Sequence, residues 1–402
     1  MIPVRISGTA GLRLARAATQ MGTALLAGLV FGGLGWQSAS AGETRGYVVS
    51  WFHRAPYSQD GDCTNGINPE SEVFVKKILN DLGKTPEQQA ALLKDYPTNL
   101  FGLLMMRGKV DGKPVNVYAN PTSVPDPQIS TVNGKYAYGF NLDGKGADSP
   151  NGFEDPETHE RGVNNQLFRA LGCFIAERGT PTTRPTWPAI EWDASRDQMP
   201  AWLIEISGID NPMNDDDVTV NIYRATGPTT RNASGDPQAD MTFRVDPNPR
   251  LQNIVHGRIK DGLLTTNKFD FYMLQDPILG VAEYTFKDAR LRLTMNPDGT
   301  IKGILGGYTP WKTIYVSLSL GGTINETDLS INMPGAFYAL RKMADAYPDP
   351  ATGQNTMISA GYRIEGVPAY IVHPAATRTS QADDAKRSKL ASAEGAPREA
   401  AQ

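Results

Sequence analysis

Between Ala201 and Val372 the sequence breaks into short runs of β-branched, aromatic and aliphatic residues, and each run stops at glycine, proline, asparagine or aspartate. AWLIEISGI, DVTVNIYRA, DMTFRVD, NIVHGRIKDGLLTT, FDFYML, ARLRLTMNPDGTIKGILGGY and TIYVSLSL are all of strand length. Leu291, Leu293 and Met295 alternate with Arg290, Arg292 and Thr294, which sets one face in a core and the other in water. Asn296 to Gly299 reads as a tight hairpin loop. Strands at this spacing predict a mainly β chain, with an antiparallel β-sandwich-like domain over residues 201–373. A late helix interrupts it over Ala336–Ala346, where Phe337, Leu340 and Met343 share one stripe.

The preceding part, residues 42–178, reads as α+β. GYVVSWF, Gly46 to Phe52, is β-branched and aromatic and predicts a buried first strand. Glu72–Leu82 places Val73, Phe74, Ile78 and Leu82 on a helical stripe. Thr85-Pro86-Glu87-Gln88 supplies an N-cap, a proline at the first helical position and a glutamine placed for a capping box, opening a helix to about Lys94. Leu103–Val110 and Val115–Tyr118 read as strands joined at Asp111-Gly112, and Asn133-Gly134 repeats that hairpin signal. Asn165–Ala176 has helical period, with Leu167, Phe168, Leu171, Phe174 and Ile175 on one face and Cys173 off its centre. A proline-rich connector over residues 179–200 is the expected domain boundary.

Residues 1–41 have the order of a secretory signal peptide. Arg5, Arg13 and Arg16 precede the apolar run Met21–Leu34, and Ala39-Ser40-Ala41 offers small side chains for cleavage. The run is shorter than the roughly 20 apolar residues of a membrane span, and no later run reaches that length. Cleavage would take the formal charge from -4 to -7. That balance argues against a nucleic-acid partner, which would want a basic surface. The expected location is periplasmic or secreted, with no integral membrane segment after cleavage. The stretch 374–402 is rich in alanine, serine and charge and has no aromatic residue, which predicts a disordered tail. Cys63 and Cys173 are the only cysteines. In an exported chain they predict one disulfide, the alternative being two buried thiols. No CxxC or CxxCH accompanies them, so neither zinc nor covalent haem is signalled.

Two acidic runs are the candidate cation sites. NLDGKGADSPNGFEDPETHERGVNNQLFRALGC, Asn141 to Cys173, offers Asp143, Asp148, Glu154, Asp155 and Asn164 among glycines that let a backbone fold inward. GIDNPMNDDDVTV offers Asp210, Asn214, Asp215, Asp216 and Asp217 between two expected strands. Calcium takes six to eight such oxygens, though neither spacing is an EF-hand. The alternative for both runs is a solvated loop, the first with Asn164 capping the next helix. Asp345–Asn355 is a weaker third case.

Enzyme motifs are sparse. Gly83-Lys84-Thr85 lacks the earlier glycine of a phosphate-binding loop, since Ile78 stands there, and GxSxG and HExxH are absent. His53, His159, His256 and His373 are scattered, and His53 stands out because it follows an expected strand and lies beside Arg54. On a strand, Glu191 and Asp193 of IEWDASRD would face one side about 7 Å apart. Such a pair suits acid and base roles on a glycosidic bond, with Trp187 and Trp192 to stack on a sugar. The first expectation is therefore an exported, calcium-stabilised β-rich binding or accessory protein with an unknown ligand or protein partner. The second is a secreted polymer- or glycan-acting hydrolase using Glu191 and Asp193, with His53 a further candidate.

Overall fold

The computed structural model describes residues 42–94, 96, 98–179, 184–275 and 282–374. The signal-peptide reading of 1–41 and the tail from Ala375 onward lie outside them, as do residues 180–183 of the expected connector. Eight strands carry the fold: β1 (Glu43–Arg54), β2 (Trp202–Ile209), β3 (Asn214–Arg224), β4 (Gln252–Lys260), β5 (Leu263–Thr266), β6 (Ala282–Met295), β7 (Ile301–Pro310) and β8 (Asn355–Val372). Each pairs antiparallel with the next, and β8 returns to β1 with a register running from Tyr47 opposite Pro368 to Arg54 opposite Tyr362.

The sheet is thus a closed eight-stranded barrel, which corrects the sandwich expectation. Alternation demands one apolar face per strand, and a sandwich and a barrel satisfy that demand equally. Closure depends instead on the pairing of the first strand with the last. Register shifts between Val49 and Trp51 and between Lys287 and Arg290 add the local bend and twist a barrel needs. Tyr47, Val49, Ile204, Val220, Val255, Leu291 and Leu305 point inward and are buried. His256, Arg258 and Lys260 of β4 point outward and are exposed. That polarity is the reverse of a lipid-embedded barrel. Among the described residues no helix is long and apolar enough to cross a membrane.

The chain between β1 and β2 packs outside the barrel. Its helices are α1 (Ser71–Asp81), α2 (Pro86–Lys94), α3 (Thr98–Met105), α4 (Gln166–Leu171) and α5 (Thr186–Gln198). At α2 the expected capping box forms, with Thr85 N–H donating to Gln88 Oε1 at 3.0 Å and Gln88 N–H to Thr85 Oγ1 at 3.4 Å. Asp111-Gly112 turns the hairpin Gly108–Val110/Lys113–Val115, both with positive φ as a two-residue turn of this kind requires. Leu103 belongs to α3 rather than to that hairpin. Asn133-Gly134 makes no hairpin; Val132 forms an isolated bridge with Cys63.

After β7, TIYVSLSL lies inside α6 (Trp311–Thr327), not on a strand. Ile314 and Leu318 are buried four residues apart while Val316 and Leu320 are exposed, so the burial has helical period. Helix α7 (Met333–Met343) follows with Asn332 as its N-cap. Leu171, Phe174, Leu318 and Leu340 of the helical layer share one continuous core with Phe286 and Leu305 of the barrel. The described residues from Gly42 onward form one compact unit, and residues 186–198 of the expected connector are the helix α5.

Candidate functional site

At one end of the barrel β1 and β7 finish and β2, β6 and β8 begin. The register shift in β1 turns Phe52 inward, where its ring stacks on Tyr362 with centroids 5.0 Å apart and leans on Trp202 at 4.6 Å. Helix α5 lies against this end of β1. Its buried residues Pro188, Glu191, Trp192, Ser195 and Arg196 recur at helical spacing, and Trp192 donates its indole N–H to the Ser50 carbonyl at 2.7 Å. Pro188 sits in the first turn, where its missing N–H is not needed.

That helix delivers Glu191 to His53. The two side chains meet at 2.8 Å, Nε2 to Oε2, and both are buried. The other ring nitrogen, Nδ1, accepts the Arg54 backbone N–H at 2.8 Å. An acceptor at Nδ1 assigns the proton to Nε2, so a neutral ring donates to an ionised carboxylate. Burial and the neighbouring Arg54 charge hold His53 below the ordinary histidine range, against the pull of Glu191. For Glu191, burial pushes upward, but His53 and Arg54 more than offset it and the carboxyl lies below its usual value. Arg54 forks onto Glu177 with contacts of 2.7 and 2.9 Å. Tyr362 Oη is buried without a hydrogen-bond partner, and burial, reinforced by Glu191, pushes its pKa up to about 12.

These contacts correct the paired-carboxylate premise. IEWDASRD is helical, so Glu191 and Asp193 stand about 200° apart around the axis. Glu191 is 7% exposed, while Asp193 is 54% exposed and pairs with Arg196 at 3.2 Å. Trp192 is a core residue and offers no face to a sugar. Arg54 was visible in the sequence beside His53. Glu177, Tyr362 and Tyr284, whose ring lies 5.4 Å from that of Phe52, were not, because nothing local marks a residue that tertiary contact brings to this end of the barrel.

The acidic run after Asn141 forms a hydrogen-bonded scaffold. Asp155 is fully buried; its Oδ1 accepts the N–H groups of Glu157 and Thr158 at 3.0 and 2.9 Å, and its Oδ2 meets Arg292 at 2.6 Å. Asn164 Oδ1 accepts from the backbone of Leu142 and Asp143, and it is Asn165, not Asn164, that caps α4. Asp143 accepts from Ser149 Oγ and the Lys145 N–H, and Glu154 pairs with Lys135 at 3.0 Å. Asp148 is exposed.

The second run forms the exposed β2–β3 hairpin at the far end of the barrel. There Asp215 accepts the N–H groups of Asp210, Asn211 and Asp217, Asn214 accepts from Asp261, and Asp217 meets His256 at 2.9 Å. Asp216 is exposed. In the third stretch, Asp345 accepts from the Ser359 N–H and Oγ. Among the described residues no three histidine, cysteine, aspartate or glutamate side chains are grouped as a metal ion would require.

Cys63 and Cys173 form the expected disulfide, Cα atoms 5.9 Å apart, inside a small apolar cluster with Val132, Phe153 and Phe168. Arg178 covers it, bonded to Asp62 at 2.9 Å. Neither a scan of protein-family models, nor a search of curated proteins, nor a search of solved structures finds a match to this chain.

Proposed function

We propose that this chain is an exported binding or accessory protein that acts by holding a ligand or partner, not by bond chemistry. One observation carries the reading: both ring nitrogens of His53 are taken, by Glu191 and by the Arg54 N–H, inside the protein. A general base needs a free nitrogen within reach of substrate, and a glycosidase needs two carboxyls facing one bond. Here the groups that the hydrolase reading required are saturated or turned apart. Export is supported by residues 1–41 and by the Cys63–Cys173 disulfide, a bond that persists in oxidising compartments.

Two measurements test this. Recovered from the producing cell, the protein should lie outside the cytoplasm with Gly42 at its N-terminus; an intact N-terminus in the cytoplasmic fraction removes the export half. Offered a panel of chromogenic glycosides and esters, the protein should turn over none faster than its Glu191→Gln variant. Turnover abolished in that variant while its circular dichroism is unchanged would restore the hydrolase.

A further inference from the structure

On the outer wall, a cleft of about 190 Å³ lies between strands β5 to β8 and the turn after Asp155. Strand register assembles it. Arg292 of β6 stands opposite Ile304 of β7, which stands opposite Arg363 of β8; one rung along, Thr294 stands opposite Lys302. All face outward because Leu291, Leu293, Leu305 and Ile364 of the same strands fill the core. The Gly303 backbone also lines the cleft, and no side chain fits there, since a Cβ would lie 1.8 Å from the Arg292 carbonyl oxygen. Glu157 and Thr158 close the cleft from the turn.

The three cations differ in how they are held. Arg292 is 6% exposed and fixed by Asp155 at 2.6 Å, with a further contact of 3.4 Å to Thr158 Oγ1. Arg363 lies over the Tyr138 ring at 4.7 Å and stands 3.8 Å from Glu157, beyond hydrogen-bond distance. Lys302 is exposed and makes no ion pair among the described residues. One donor is thus rigid, one is loosely engaged and one is uncommitted.

We propose that this cleft binds a tetrahedral oxyanion, the phosphate or sulfate group of a small ligand. A planar carboxylate is satisfied by a single guanidinium fork. Two guanidinium groups, an ammonium and the hydroxyls of Thr158 and Thr294 line the cleft beside the single carboxylate of Glu157, a cationic excess and donor set that suits an anion with oxygens in several directions. The proposal rests on the reading that the protein acts by binding and supplies the chemistry of what is bound.

Calorimetric titration of the full chain tests it, with inorganic phosphate and inorganic sulfate as probes and acetate at matched ionic strength as control. One saturable site is expected for a tetrahedral probe, weakened about tenfold or more in Lys302→Gln and in Arg363→Gln, as the loss of a charge-assisted hydrogen bond implies. Lys76→Gln, on α1, should change nothing. No saturable heat, equal affinity for acetate, or undiminished binding in Lys302→Gln overturns the proposal. Lys302 is exposed, so its variant folds. Glucose 6-phosphate binding tighter than inorganic phosphate assigns the site to an ester, and weaker binding assigns it to the free anion. Failure here leaves the non-catalytic reading standing, because that reading falls only to turnover that depends on Glu191.

Discussion

At the scale of single residues, His53 shows how burial settles protonation. The folded chain gives up the His53 proton more readily than the unfolded chain does, so the unfolded chain binds more protons just below the ordinary value of 6.5. Stability should therefore be present above that value and fall as pH drops below it. Glu191 acts in the same direction at lower pH, its contribution being present above 4.5 and lost as pH falls through its depressed pKa. Chemical denaturation between pH 4 and pH 8 should show this decline, and a flat profile would contradict the neutral-ring assignment. Glu191→Ala should cost about 2–4 kcal/mol at pH 7, because it strands the His53 N–H in a dry site; the decline below pH 6.5 should persist, since the burial and the Arg54 charge that depress His53 remain.

Among the elements, α6 carries a break that sequence pattern does not announce. Gly322, at φ 29° and ψ -100°, interrupts the helix, and the Asn325 amide donates to the Leu318 carbonyl beside it. A Cβ at Gly322 would lie 2.8 Å from the Tyr118 ring, in a backbone region that side chains rarely enter. Gly322→Ala should destabilise by about 2 kcal/mol or more; an unchanged urea midpoint would show that the helix simply straightens. The acidic loops make a second prediction at this scale. The carboxylates of Asp143, Asp155 and Asp215 already accept N–H or O–H groups and Glu154 faces Lys135, so EDTA should leave the melting midpoint where it was. A fall on chelation, reversed by calcium, would assign those oxygens to a cation after all, since binding to the native state alone stabilises by about 2.7 kcal/mol at a hundredfold excess over Kd.

For the whole molecule, the disulfide ties an insertion that the barrel does not otherwise close. Its two cysteines are 110 residues apart, and the chain-entropy account assigns such a loop about 4–5 kcal/mol. Denatured, unreduced protein should show no titratable thiol, and reduction should lower the unfolding midpoint. Two thiols before reduction would refute the bond. The barrel contributes differently: its strands are neighbours in chain order, so seven of its eight seams join consecutive strands, and the β1–β8 seam alone spans the chain.

Several elements were legible in residues alone because their causes are local. Thr85 and Gln88 cap α2 by reach along four residues, Asp111-Gly112 turns by backbone sterics, and the Leu291/Arg292 alternation separates core from exterior by the pleat of one strand. The cysteine pair followed from having two cysteines in a chain whose first residues read as a signal peptide. What local pattern left open was set by contacts between distant segments. A strand cannot record whether its sheet closes, since sandwich and barrel bury the same face. IEWDASRD became a helix because the end of the barrel needed Glu191 and Trp192 on one side, and TIYVSLSL because Ile314 and Leu318 found a common surface. The cleft over Arg292, Lys302 and Arg363 exists only through register, which is a property of paired strands and of no single one.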